Sequence, residues 1–235
     1  MPTAEIQSVS AACWACGASV APGQSFCPTC GKVQPPAASV DYFAVFSLPR
    51  KLHLDVSALE KSFYKLSRRL HPDVYAQASA DEQQWSLEQT SLLNDAYRAL
   101  KNPVTRTEYL LKLEGVEIEA GRSEGNAPKD SRIPPDLLEE VFELNMQLEE
   151  MRMAKKMGED DPQTRADLEK ARVQFEAQLA DSDAQLAAQW TKWDAALDAA
   201  DAAGQQQAKD AMVAVLDRRR YLRNLVRDVH DVLEA

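Results

Sequence analysis

The sequence predicts an all-α chain built from a helical hairpin followed by an antiparallel three-helix bundle, with a small cysteine-bearing module ahead of both. Three observations carry this. Apolar residues recur at spacings of three and four along most of the chain from about residue 57 onward. Only eight glycines occur in 235 residues, and the abundance of Ala, Leu, Glu and Gln favours helix over sheet. All four cysteines fall within residues 1–33, ahead of the Pro-rich stretch Gln34-Pro35-Pro36-Ala37-Ala38-Ser39. The resulting division is a cysteine module at 1–33, a linker at 34–40, a hairpin domain at 41–115, a linker at 116–133 and a helical domain at 134–235.

In the cysteine module, Cys13-Trp14-Ala15-Cys16 and Cys27-Pro28-Thr29-Cys30 are two CxxC hooks, each followed directly by a glycine, Gly17 or Gly31. Two thiolates three residues apart can ligate one ion from a single tight turn, and the glycine can take the positive φ that closes it. Four thiolates complete a closed tetrahedral site with no open position for catalysis, so the expected role is structural. The expected module is zinc-ribbon-like with one Zn per chain held by Cys13, Cys16, Cys27 and Cys30, and iron fits the same ligands. Phe26 and Trp14 are candidates to pack on the site, since so short a block has little else to bury. Disulfides or redox thiols are the competing reading, disfavoured because no secretory signal and no βαβ pattern accompany the hooks.

In the middle block, Ser57-Ala58-Leu59-Glu60 reads as a capping box that opens a helix. Leu59, Phe63, Leu66 and Leu70 fall on one face of it, and Lys61, Lys65, Arg68 and Arg69 on the opposite one. The helix must stop at His71-Pro72-Asp73, because Pro72 lacks an amide donor and disfavours helical geometry for His71. Ser79-Ala80-Asp81-Glu82 is a second capping box, opening a return helix with Trp85, Leu92, Ala96 and Leu100 on its apolar face. Asn102-Pro103 ends that helix and starts another.

These residues resemble a J domain, the module that stimulates ATP hydrolysis by 70-kDa heat-shock proteins. The resemblance covers roughly residues 41–112. It rests on Asp41-Tyr42-Phe43, Leu48-Pro49, the basic helix, His71-Pro72-Asp73, and Asn94-Asp95-Ala96-Tyr97-Arg98-Ala99-Leu100. Val74 stands where a basic residue commonly follows this tripeptide. The resemblance implies an ATPase-docking surface made of Lys61, Lys65, Arg68, Arg69, His71, Pro72 and Asp73. Chemically, Asp73 can pair with a partner arginine, and the cationic face can steer onto an acidic surface.

The last block is acidic. Residues 134–235 hold twenty-two acids against thirteen bases, whereas 41–115 balance at ten each. A chain of net charge −10 has no global attraction for nucleic acid. Pro134-Pro135 should start a helix from Asp136 to Lys156 whose stripe Leu137, Val141, Leu144, Leu148 and Met151 faces a bundle. A second apolar set, Leu138, Phe142 and Met146, lies on the far side, flanked by Glu139, Glu143 and Glu150. One helix of a three-helix bundle cannot bury two opposite faces, so this second face is a candidate partner surface. Asp161-Pro162 should open the next helix, running through Leu168, Phe175, Leu179, Leu186, Trp190, Trp193 and Leu197 to a stop marked by Gly204. The last helix should span about Gln206 to Leu233, with Met212, Leu216, Leu222, Val226, Val229 and Leu233 inward.

Here the resemblance narrows to the HscB family of iron–sulfur cluster assembly co-chaperones. It rests on Asp41-Tyr42-Phe43, Pro103-Val104-Thr105-Arg106-Thr107-Glu108-Tyr109-Leu110-Leu111 and Leu137-Leu138-Glu139-Glu140-Val141-Phe142-Glu143-Leu144, in that order, and the double-CxxC extension is similar to that of eukaryotic members. It implies a non-enzymatic partner of a DnaK/HscA-class ATPase that delivers an IscU-type scaffold bound through Leu138, Phe142, Glu143, Met146, Glu150 and Tyr221. Glu139 and Met146 differ in type from some members. The alternatives are a J protein for a different client and, further off, a zinc-dependent nucleic-acid module. No GxxxxGK[ST] loop is present, and the three histidines form no evident catalytic set. No run approaches the ~20 apolar residues of a membrane span. Without a secretory or Arg-rich leader, the expected location is the cytoplasm, or the mitochondrial matrix if a presequence has been removed, as a monomer or weak dimer.

Overall fold

The computed structural model describes residues 10–37, 40–116, 137–159 and 161–234. The chain divides into two compact units, Met1–Glu117 and Ile118–Ala235. The predicted helix start at Pro134, Pro135 and Asp136 lies outside the described residues, as does the predicted linker from 117 on.

In the first unit the cysteine module is a ribbon. Its strands β1 (Ala11–Ala12) and β2 (Ser19–Val20) pair antiparallel, and an isolated bridge joins Phe26 to Val33. The interior is Cys13, Val20 and Cys27, so the sulfur site is the core of the ribbon. Gln34, assigned by composition to the linker, is buried at 4% exposure, and its side-chain amide donates to Cys13 Sγ and to the carbonyls of Lys32 and Val33. It is part of the ribbon.

The helices follow as α1 (Tyr42–Val45), α2 (Val56–Leu70), α3 (Ala80–Lys101) and α4 (Pro103–Leu113), with a 3₁₀ turn at Pro72–Tyr75. The capping box expected at Ser57 is not the start of α2. Asp55 is the N-cap, its carboxylate accepting from Ala58 N, so the helix begins two residues early and Ser57 lies inside its first turn. The capping box at Ser79 and Glu82 is present, and Asn102 caps α4 by accepting from the amides of Val104 and Thr105. Between α2 and α3, Phe63 stacks on Tyr97 with centroids 4.1 Å apart. Tyr42 of α1 stacks on Tyr109 of α4 at 4.3 Å.

The ribbon is seated on α3. The buried stripe of that helix is Glu82, Ser86, Gln89, Leu93, Ala96 and Leu100, apolar in its second half and polar in its first. Trp85 and Leu92, expected on the inner face, are only half-buried. The polar residues find partners: Lys32 Nζ lies 2.8 Å from Glu82 Oε1, Ser25 Oγ donates to Gln89 Oε1, and Gln89 Nε2 donates to Gln34 O. The Lys32 bond holds the Glu82 carboxyl below its usual range against the opposing effect of burial. Trp14 meets Trp85 with ring centroids at 5.4 Å, and Trp14 Nε1 donates to Val33 O at 2.7 Å.

In the second unit α5 (Leu138–Met157), α6 (Pro162–Asp198) and α7 (Ala202–Glu234) form the bundle. Leu137, Val141, Leu144, Leu148 and Met151 are buried against Leu168 and Phe175 of α6 and Leu222, Leu225, Val229 and Val232 of α7. Asp161 caps α6, and left-handed Gly158 closes α5. Gly204 does not end α6. It lies in the first turn of α7, and the reversal is made by Ala200 at φ 52. The glycine is needed for space, since an added Cβ would meet the Asp201 carboxylate and sit 3.1 Å from Ala196 Cβ.

At Gly23 the ribbon's backbone comes close to α1. The glycine has φ +83, and a Cβ built there would lie 2.7 Å from the Ala44 carbonyl carbon and oxygen. Gly23→Ala therefore combines backbone strain with a steric clash and should destabilise the first unit by roughly 2 kcal/mol. A lowered urea midpoint at unchanged cysteine metal content is the expected result, and an unchanged midpoint would show that Gly23 is not held against Ala44.

Candidate functional site

Three places carry the residues expected to act. The first is the sulfur cluster. The four Sγ atoms lie within 4.8 Å of one another, with Cys13–Cys30 and Cys16–Cys27 both at 3.7 Å. A tetrahedron with metal–sulfur arms of ~2.3 Å has edges of about 3.8 Å, so the spacing fits one ion. The two hooks are near copies. Gly17 N donates to Cys13 O and Gly31 N to Cys27 O, each at 2.9 Å, with both glycines at φ 73. The amides of Ala15 and Thr29 point at Cys13 Sγ and Cys27 Sγ, each at 3.4 Å.

These donors stabilise thiolate. Burial pushes the Cys13 thiol up, but the amides of Cys16 and Ala15 and the neighbouring thiols outweigh it and hold it at about 6. The Cys27 thiol is lowered chiefly by the Cys30 amide. At Cys16 the Ala18 amide acts downward, yet burial and the three other sulfurs push the thiol up to about 12. Four crowded sulfurs cannot all ionise alone, and a central cation removes that repulsion. Cys13 and Cys27 are buried, Cys16 and Cys30 exposed, and all four are free of disulfide. The residues therefore form a metal-binding site.

The second place is the turn after α2. His71 takes the extended backbone that a following proline demands (φ −56, ψ 132) and accepts Asp73 N at its Nδ1. The Asp73 carboxylate is 89% exposed, 3.4 Å from His71 Nδ1. Lys61, Lys65, Arg68 and Arg69 are all exposed along α2. The guanidinium of Arg69 lies 3.8 Å over the ring of Phe26, so the basic face touches the ribbon. Sequence reasoning missed what aims the turn. Ser86 Oγ and Thr90 Oγ1, one helical turn apart on α3, both donate to Leu70 O, the carbonyl from which the turn departs. The available signal was a pair of hydroxyls at i, i+4 on α3, beside the expected apolar face.

The third place is the outer face of α5. Leu138, Phe142 and Met146 are 57%, 69% and 53% exposed, and Glu143 and Glu150 are exposed beside them. Met153 and Met157, exposed as well, continue the stripe to the end of the helix, a continuation readable from helical spacing. Tyr221 lies on α7. It is half-buried against the bundle core, and burial raises its hydroxyl pKa.

Comparison with known proteins agrees with these features. Residues 10–34 match the zinc-ribbon domain family. The mouse iron–sulfur cluster co-chaperone protein HscB is 34% identical over 163 residues, covering 68% of this chain and 67% of the relative. The human protein of the same name is 36% identical over 141 residues, 59% of this chain and 57% of the relative. The crystal structure of human co-chaperone protein HscB superposes with a TM-score of 0.63 at 26% identity, over 93% of this chain and 96% of that one. At 34% identity over about two thirds of the mouse protein, the chain belongs to the HscB family of iron–sulfur cluster co-chaperones.

Proposed function

We propose that this co-chaperone is an adaptor with two docking faces and no catalytic site of its own. The hairpin domain recruits a DnaK/HscA-class heat-shock ATPase and stimulates its ATP hydrolysis. The outer face of α5 carries an IscU-type iron–sulfur scaffold to it. The observation that carries the reading is the exposed Asp73 carboxylate, held at a rigid turn beside an exposed row of four cations. An arginine of the ATPase can take Asp73 in a charge-assisted pair, and the cations steer the approach onto an acidic surface. His71 sets the turn's backbone by accepting the Asp73 amide, which fixes where the carboxylate is presented before the partner arrives. On α5, Phe142 and Met146 offer apolar anchors, and the flanking Glu143 and Glu150 select a partner with basic groups around an apolar patch. The ion in the ribbon is proposed to be zinc, which four thiolates in a closed tetrahedron suit, and its role is to hold the ribbon folded.

Single-turnover ATP hydrolysis by a DnaK/HscA-class partner should be stimulated by the protein, further with an IscU-type scaffold present. His71→Gln should lose at least tenfold of the stimulation while keeping scaffold affinity. Stimulation indifferent to scaffold would indicate a different client. Phe142→Ala with Met146→Ala should weaken scaffold binding by roughly 2 kcal/mol, about thirtyfold, with helicity unchanged. Calorimetry at wild-type affinity would remove the scaffold from this face. Elemental analysis of freshly reduced protein should give one zinc per chain, and a finding of none, or of iron, would overturn the assignment.

A further inference from the structure

The ribbon and α2 do not close completely on each other. Between them lies an open groove of about 440 Å³. Buried Val45 and Phe46 and half-buried Leu66 give it an apolar floor. Phe26 and Pro28 of the ribbon and the exposed side chains of Lys65 and Arg69 of α2 line its sides, with Arg69 reaching across to the Phe26 ring. No residue lining the groove is acidic, and among the described residues neither Lys65 nor Arg69 has a carboxylate partner. The Arg69 guanidinium lies 3.8 Å over the Phe26 ring and stays exposed to solvent. Apart from the Cys27 sulfur, which belongs to the ribbon's sulfur site, the lining carries no negative group, and an apolar trough with a cationic rim and no carboxylate fits a peptide segment in which an acidic side chain stands beside an apolar one.

We infer that the groove between ribbon and α2 binds an acidic–apolar segment of the heat-shock ATPase, so that the ribbon is a second wall of the docking face. This rests on the proposed role of α2, with which the groove is continuous through Lys65 and Arg69. Within that role it assigns the ribbon a direct contact and gives the contacting segment a composition. Nucleic acid fits less well, because the ribbon's lysine, Lys32, is spent on Glu82 and the floor is apolar.

Gln24 makes the test clean. It is exposed on the ribbon side of the groove and is not one of the four sulfur ligands; the bond its backbone makes is from its amide to Ala21 O. Affinity for a DnaK-class ATPase is measured by calorimetry on the full chain, with zinc content and circular dichroism confirming that each variant is folded. Gln24→Glu should weaken binding and Gln24→Lys tighten it, each roughly threefold, and both effects should shrink at high salt. Ser62→Trp, which fills the groove from an exposed position on α2, should weaken binding roughly tenfold. If all three variants bind like the wild type while His71→Gln still abolishes stimulation, the docking role of α2 stands and the groove is not part of it. If the wild-type chain itself neither binds nor stimulates the ATPase, the docking role fails and the groove proposal falls with it.

Discussion

A helix has more circumference than one core can cover, and this protein turns on what it does with the remainder. In α5 the inner stripe from Leu137 to Met151 is absorbed by the bundle, and the outer stripe of Leu138, Phe142 and Met146 is left to solvent. In α3 the second half turns Leu93, Ala96 and Leu100 to the hairpin core, and the first half carries Glu82, Ser86 and Gln89 along the same line. Buried polar groups are tolerated only when paired. The ribbon and the Leu70 carbonyl supply those pairs, so the same helix that completes the hairpin also seats the ribbon and aims the turn.

The proposed mechanism depends on that division. A docking turn is useful only if its carboxylate points one way, and Ser86 and Thr90 anchor the carbonyl from which the turn departs. A partner face on α5 is useful only if the helix does not repack to hide it. Its inner stripe is already fully committed, which leaves the outer residues no better place to go. Stability and recognition are thus separated by angle around the same helices.

Much of this was legible in the residues. Helical spacing identified α2, α3 and α5 to α7, Asn102-Pro103 marked the start of α4, the hooks gave the sulfur cluster, and Pro72 forced the turn. Other features depended on contacts far apart in sequence. Asp55 outcompetes Ser57 as a cap because its carboxylate reaches the Ala58 amide, a choice between two acceptable caps that local pattern leaves open. Gly204 looked like a stop because glycine most often ends a helix, but here its missing Cβ makes room for Ala196 and Asp201. The polar stripe of α3 reads as a solvated face until the ribbon is laid over it.

The seat of the ribbon also sets an order of events during synthesis. Every bond within the ribbon closes once Gln34 has been made, and its interior is the sulfur site. Its partners on α3 come much later, with Glu82 50 residues after Lys32 and Gln89 64 after Ser25. On a ribosome that releases the N-terminus first, the ribbon can take up its metal early and wait with Trp14 and Phe26 uncovered, since Trp85 and Arg69 do not yet exist. Docking is therefore a late, non-local step.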